Sequence, residues 1–392
     1  MLLCGVSKID ITPRLPVALA GFAERGGVFE TVATPIFARC FWFAEEGARP
    51  ILLVAADLIW WGNEITASLR ARIPEAHVIL HGSHSHSGPQ TALGLSPEIG
   101  AASPEYLQEL ERLVVIGAQE ARANAEPVTV RSGVTAVPLG IHRRKFIGGE
   151  MRMAPNPDGP TDPACTVVQF ISAGGAQKAL LIHATCHPTT TAANAVSSEF
   201  CGHAMSRIEA ERATIAGFLQ GCCGDIRPPL IRDGAFYRGT QADVQALGDK
   251  LADAVLARLT QPLDEHRPAP VEAFESQLPL EFETGAQPPA TLAMSCFRIA
   301  ERLSFITFNA EMVVAYGFHA RQFGLLPLGY TNGMIGYVSA AAQLVEGGYE
   351  SRGSVPYFHL PAAFALGTES AVRAAIEFNT REIRRPPEAS RR

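Results

Sequence analysis

Three histidines fall within six positions in the stretch HGSHSHSGPQ, residues 81–90: His81, His84 and His86. A second pair, His183 and His187, lies in HATCHPTTT. Neutral imidazole is the commonest protein ligand for a metal ion, and a catalytic zinc centre takes three protein ligands and keeps one position for water. Water on such an ion ionises near neutral pH and attacks acyl carbonyls. The chemistry open to these residues is therefore metal-assisted hydrolysis. The competing reading makes one or more of them core histidines bonded to backbone.

Holding such a centre requires elements that bring distant segments together. The run AHVIL before His81 reads as a strand, and residues two apart on an extended chain share a face, so His84 and His86 are expected to look into one pocket. Pro188 favours an extended His187, which makes HATCHP a strand running into a loop. Further apolar runs predict strands over residues 51–57, 77–83, 165–172, 178–185, 214–221 and 304–311, most with the unbroken pattern of strands buried on both faces. Between them, SPEYLQELERLVVIGAQEA opens with Ser103 as N-cap and Pro104 in the first turn, and QADVQALGDKLADAVLARL carries Val244, Leu247, Leu251, Val255 and Leu259 on one stripe. ESAVRAAIEFNTREI predicts a last helix. The expected fold class is α/β, with mixed sheets in layers and helices packed outside. The Pro-rich, acidic stretch 260–291 is not taken as a boundary, because later strands return to the same core.

Bulk composition narrows the function. A chain of 392 residues with 47% hydrophobic and 18% charged residues supports a large core, and a net charge of −6 argues against nucleic acid or an anionic membrane as partner. The longest apolar run, ILLVAADLIWW, is interrupted by Asp57 and is too short to span a bilayer. The N-terminus lacks the pattern of a signal peptide, so a cytoplasmic location is expected. Eight cysteines without paired spacing read as buried thiols. The HxHxDH loop of metallo-β-lactamases is not matched, since Gly88 and Pro89 stand where its Asp and last His belong.

Taken together, SHSHSGP, HPT and GCCGDIRP resemble, in order, three signatures of the neutral, non-lysosomal ceramidase family. DITP at 10–13, IHRR at 141–144, NPDGPTDP at 156–163 and GYVSAAAQLVEGGYE at 336–350 extend the resemblance. It implies one zinc ion per chain, with His84, His187, Glu311 and Tyr337 as ligands. It also implies His86, Arg143 and Tyr349 around the substrate carbonyl. Glu311 lies in FNAEM, where the family has a Pro-Gly-Glu stretch, and Tyr349 follows Tyr337 by twelve residues as in the family. Arg143 has an alternative role as a structural ion-pair partner. Asp10, Asp57, Asp162 and Asp225 are read as framework residues or as carboxylates that orient the ligand histidines. The chain length leaves no room for the family's C-terminal immunoglobulin-like domain, so a single catalytic domain over residues 1–385 is expected, followed by a disordered Arg- and Pro-rich tail at 386–392.

One departure bears on mechanism. Ceramidases carry a serine in a Gly-Asp-x-Ser-Pro segment, and here the segment reads Gly224, Asp225, Ile226, Arg227, Pro228. A guanidinium stays protonated and cannot attack a carbonyl, which leaves metal-activated water as the nucleophile. In that scheme His86 shuttles the proton, while Arg143 and Tyr349 donate to the oxyanion. Arg227 is expected either to bind an anionic group of the substrate or to form an ion pair with Asp225 or another acid. The expected substrate is a small soluble molecule with an acyl bond, a linear amide rather than ceramide, with no nucleic acid and no membrane as partner; self-association stays open. An esterase or lactonase on the same fold, and a non-catalytic anion- or metal-binding protein, are the rival readings.

Overall fold

The computed structural model describes residues 1–385, so the tail at 386–392 lies outside the described residues. Strands follow the apolar runs closely. The largest sheet has nine strands, and its main path runs Ile215–Gln220, Gln177–Ala184, Ala164–Ser172, Glu126–Ala136, Leu3–Asp10, Phe37–Ala44, Ile51–Ala56 and His77–Gly82. Asp264–His266 pairs with Glu126–Ala136 off this path. The outermost pair at each end is parallel and the rest are antiparallel, which makes the sheet mixed. A second sheet of four strands, Glu272–Leu280, Ala290–Ala300, Leu303–Phe308 and Leu325–Leu328, takes its first strand from the middle of the Pro-rich stretch that composition alone makes resemble a linker.

Histidines lie on both sides of the large sheet, His81 on its last strand and His183 on the strand next to Ile215–Gln220, and the sheet folds until its two end strands touch. The backbone N–H of Gln220 donates to His81 Nε2 at 2.8 Å. Phe41, Phe43, Leu53 and Ile79 from one half pack with Phe170, Leu181 and Leu219 from the other and with Phe297 and Phe305 from the second sheet. Each such side chain is worth roughly 1.5–3 kcal/mol on full burial. Gly217 permits the closeness: a Cβ there would lie 2.7 Å from the Phe41 ring. Helices cover the outside. Pro104–Ala123, capped by Ser103, lies on Leu3–Asp10 and Phe37–Ala44, while Glu199–Arg212 and Gln241–Leu259 lie over the opposite half. Thr368–Arg384 covers the second sheet. This is the layered α/β architecture the apolar pattern predicts. Among the described residues no helix is long and apolar enough to cross a membrane.

Two of the five clustered histidines serve this framework. His81 also contacts Thr331 Oγ1 at 2.9 Å, and His183 sits between the Pro327 carbonyl at 2.8 Å and Arg321 at 3.1 Å. Burial pushes the pKa of each down to about 3, aided by charge repulsion from His183 on the first and Arg321 on the second. Both imidazoles stay neutral in the fold, whereas the unfolded chain binds protons near pH 6.5. Their contribution is complete above that pH and declines as the pH falls toward 3. Acidification from pH 6.5 to 5 is expected to cost about 2 kcal/mol per histidine, read as a drop in denaturant-unfolding free energy of metal-free protein. Equal stability at the two pH values would contradict it.

Candidate metal centre

The strand His77–Gly82 stops before the histidines it delivers. His84 has φ 68°, a left-handed conformation, so the expected extended run through His86 is not formed. The turn swings His84 and His86 toward each other, with their Nε2 atoms 3.1 Å apart. From the far end of the folded sheet the chain leaves Gln177–Ala184 and brings in His187, whose Nε2 lies 2.9 Å from that of His84. Gln220 braces both segments, because its side-chain amide donates to the carbonyls of Ser83 and Cys186 and accepts from the Cys186 N–H. All three imidazoles are buried and could together hold a metal ion.

Tautomers decide what this contact means. His84 Nδ1 lies 3.0 Å from the Ile59 carbonyl and His187 Nδ1 lies 2.8 Å from the Cys223 carbonyl. A carbonyl only accepts, so both Nδ1 atoms carry the proton and both Nε2 atoms present lone pairs. Two lone pairs facing each other at 2.9 Å are repulsive unless a cation sits between them. Glu311 adds the same demand. Its Oε2 is buried without a hydrogen bond, 3.2 Å from His84 Nε2 and 3.5 Å from His187 Nε2. Tetrahedral zinc donors with bonds of about 2.1 Å stand about 3.3–3.4 Å apart, close to these separations. Two imidazoles and a carboxylate are a fitting donor set for a divalent transition ion.

Glu311 does not extend the strand predicted over 304–311, which ends at Phe308. It lies in a separate ladder of two residues, where Glu311 pairs with Tyr337. That register sets the fourth implied ligand beside the third. The Tyr337 hydroxyl accepts from Arg143 Nη2 at 3.0 Å, and Tyr349 packs edge-on against Tyr337 with centroids 5.6 Å apart. Burial pushes both phenols up, opposed in each case by Arg143. Arg143 also donates through Nε to Glu350 at 2.7 Å, and Glu350 accepts from Arg144 at 2.5 Å. Arg143 is thus both an ion-pair partner and part of the site. His86, Arg143, His187, Arg227, Tyr337 and Tyr349 all line one cavity of about 150 Å³. Gly21 closes against His86: a Cβ there would lie 2.2 Å from Nδ1.

Two expectations need correction. Arg227 makes no ion pair with Asp225, because Asp225 accepts from the Val314 N–H and from Gln343, both at 2.8 Å, and faces His142 at 3.4 Å. The carboxylates of Asp10, Asp57, Asp162 and Asp225 do not orient the ligand histidines; backbone carbonyls do. Asp10 accepts from Thr12 N–H, Asp57 pairs with Arg39, and Asp162 with Arg321. Sequence reasoning also missed Gln220, Glu350 and Tyr330, whose ring stacks on His84 at 3.8 Å. Of these only Glu350 lies inside a quoted motif, and nothing about its residue type announces a buried bridge between two arginines.

No protein-family model matches the chain. Among solved structures, neutral ceramidase from Pseudomonas aeruginosa superposes with a TM-score of 0.79 at 17% identity, covering 97% of this chain and 74% of that one. The fold is that of the neutral ceramidases. A ceramidase complexed with C2 superposes with a TM-score of 0.80 at 16% identity, over the same shares of the two chains. A ceramidase-like framework therefore accounts for nearly the whole length of this chain, and the histidine cluster lies within it.

Proposed function

We propose that the protein is a zinc-dependent hydrolase that cleaves a linear amide in a small soluble molecule. The observation that carries this reading is the facing pair of Nε2 lone pairs on His84 and His187, with the unsatisfied Glu311 oxygen beside them at a cavity. The ceramidase-like fold supports amide chemistry. The cavity, at about 150 Å³, suits a compact substrate better than a long-chain lipid. No serine is among its lining residues, and Arg227 stands in the Gly-Asp-x-Ser-Pro position; the one aliphatic hydroxyl on its walls is that of Thr189.

His84, His187 and Glu311, with Tyr337 beside them, would hold a zinc ion, which when bound would supply Lewis acidity and lower the pKa of water toward neutral. The rest falls to side chains. His86 is kept neutral by burial first and by neighbouring cationic groups second. Its Nε2 is the nitrogen facing the centre, and it takes the proton from attacking water and returns it to the leaving amine. Arg143 holds the Tyr337 hydroxyl in place, and Tyr349 donates its O–H to the carbonyl oxygen as negative charge develops there.

Matched linear amides and esters assayed with and without chelator test this reading. Amide cleavage should vanish with chelator and return with zinc; chelator-resistant turnover, or inertness toward every amide, would sink it. His86→Ala is expected to keep about one metal ion per chain while kcat falls by at least about 100-fold. Loss of the metal together with activity would make His86 a ligand instead of the base.

A further inference from the structure

The cavity beside the histidines is lined by three arginines, two of them paired with a carboxylate and one not. Arg143 is neutralised by Glu350 at 2.7 Å, and Arg238 by Glu24 at 2.6 Å. Arg227 has no carboxylate within ion-pair distance among the described residues, although it is only 6% exposed. Its Nε is buried without a partner, and its sole polar contact is from Nη1 to the sulfur of Met153 at 3.8 Å. The guanidinium carbon lies 4.4 Å from the centroid of the Phe236 ring, within cation–π distance. A fourth guanidinium, Arg25, donates to the His86 carbonyl and has two further buried donors unused. Phe22 lies within cation–π distance of both Arg25 and Arg238 and against the His86 ring, so the basic wall adjoins the proposed base.

A buried charge is costly unless paired, and removing its counter-charge leaves the cost uncompensated. Burial first, then Arg238 and Arg143, push Arg227 down to about 9, which still leaves it protonated at neutral pH; Glu24, the nearby carboxylate on the cavity wall, opposes this only weakly and pairs with Arg238. A metal ion at the histidines would add to the positive potential. The missing negative charge must come with the ligand. We infer that the substrate carries a carboxylate that pairs with Arg227, making this protein selective for short amides with an acidic group, such as N-acyl amino acids. The planar guanidinium edge matches two carboxylate oxygens, and one uncompensated positive charge calls for one negative charge.

This inference rests on reading the centre as an amide hydrolase, but its test does not need turnover. N-acetylglycine and its neutral counterpart N-acetylglycinamide are titrated calorimetrically into metal-free protein, so that coordination of the carboxylate to zinc plays no part. Wild type is expected to bind the acid about tenfold or more tightly than the amide, in line with a charge-assisted pair. Arg227→Gln should bring the two within about twofold of each other, and Arg227→Lys, which keeps charge without the planar edge, should fall between. Equal binding of acid and amide by wild type, or a preference that survives in both variants, overturns the inference. The thermal midpoint of each variant establishes that it is folded; if the Gln variant is not, the Lys variant carries the comparison. A preference that depends on Arg227 in a protein inert toward all amides would uphold the carboxylate site while refuting the hydrolase reading.

Discussion

Replacing His187 with alanine is expected to reduce bound metal from about one ion per chain to near none, and Glu311→Ala to weaken it severely. Loss of a group that merely supports a ligand typically costs 10–100-fold in metal affinity, so loss of a ligand should exceed about 100-fold. His187 Nε2 lies 2.9 Å from His84 Nε2 with its proton committed to Nδ1, so no role as a hydrogen-bond donor explains its position. Elemental analysis after dialysis and chelator competition would read the effect. His183→Asn is the informative control, since His183 lies four residues earlier on the same segment yet contacts Pro327 and Arg321. It should retain the metal. Wild-type metal content in His187→Ala would refute the centre outright.

The two histidine-bearing segments were legible because each follows a continuous apolar run, and such runs make buried strands that end at loops. What local pattern could not supply is that the sheet folds until its two ends meet. That depends on side chains far apart in the chain, such as Phe41 against Gly217 and Gln220 against Ser83. Alternation along a strand predicted that His84 and His86 face one pocket; their Nε2 atoms do meet, 3.1 Å apart, but through a left-handed turn at His84 and not through pleating, and of the two only His86 lines the cavity. Glu311 and Tyr337 were reached only by resemblance to a family; a two-residue ladder leaves no periodic trace for sequence reading to use. The fate of charged residues was the least legible. Arg143, Arg144 and Arg227 look alike in sequence, yet the first two share Glu350 while the third has no acid within reach, a difference set by a segment some 200 positions away.

Loss of that shared acid should be costly to the fold. Glu350 is 3% exposed and accepts from Arg143 at 2.7 Å and from Arg144 at 2.5 Å, each arginine also about 3% exposed. Removing one member of a buried ion pair costs about 3–5 kcal/mol, chiefly because the remaining charge is left in a poorly solvated site. Here two guanidiniums lose their acceptor, although Arg144 keeps contacts with Glu346 and the Gly347 carbonyl. Glu350→Ala is therefore expected to destabilise the fold by at least about 3 kcal/mol, measured by denaturant unfolding. Glu350→Gln keeps one acceptor oxygen and the shape, so its loss should be smaller. Function should follow for a physical reason: Arg143 released from Glu350 no longer holds the Tyr337 hydroxyl in register. Glu350→Gln should thus lower kcat more than it raises KM while leaving the ligand histidines, and so metal content, intact. A Gln variant with wild-type turnover would show that Arg143 keeps its place without Glu350, and a stability loss below about 1 kcal/mol in Glu350→Ala would mean that water reaches the two arginines after all.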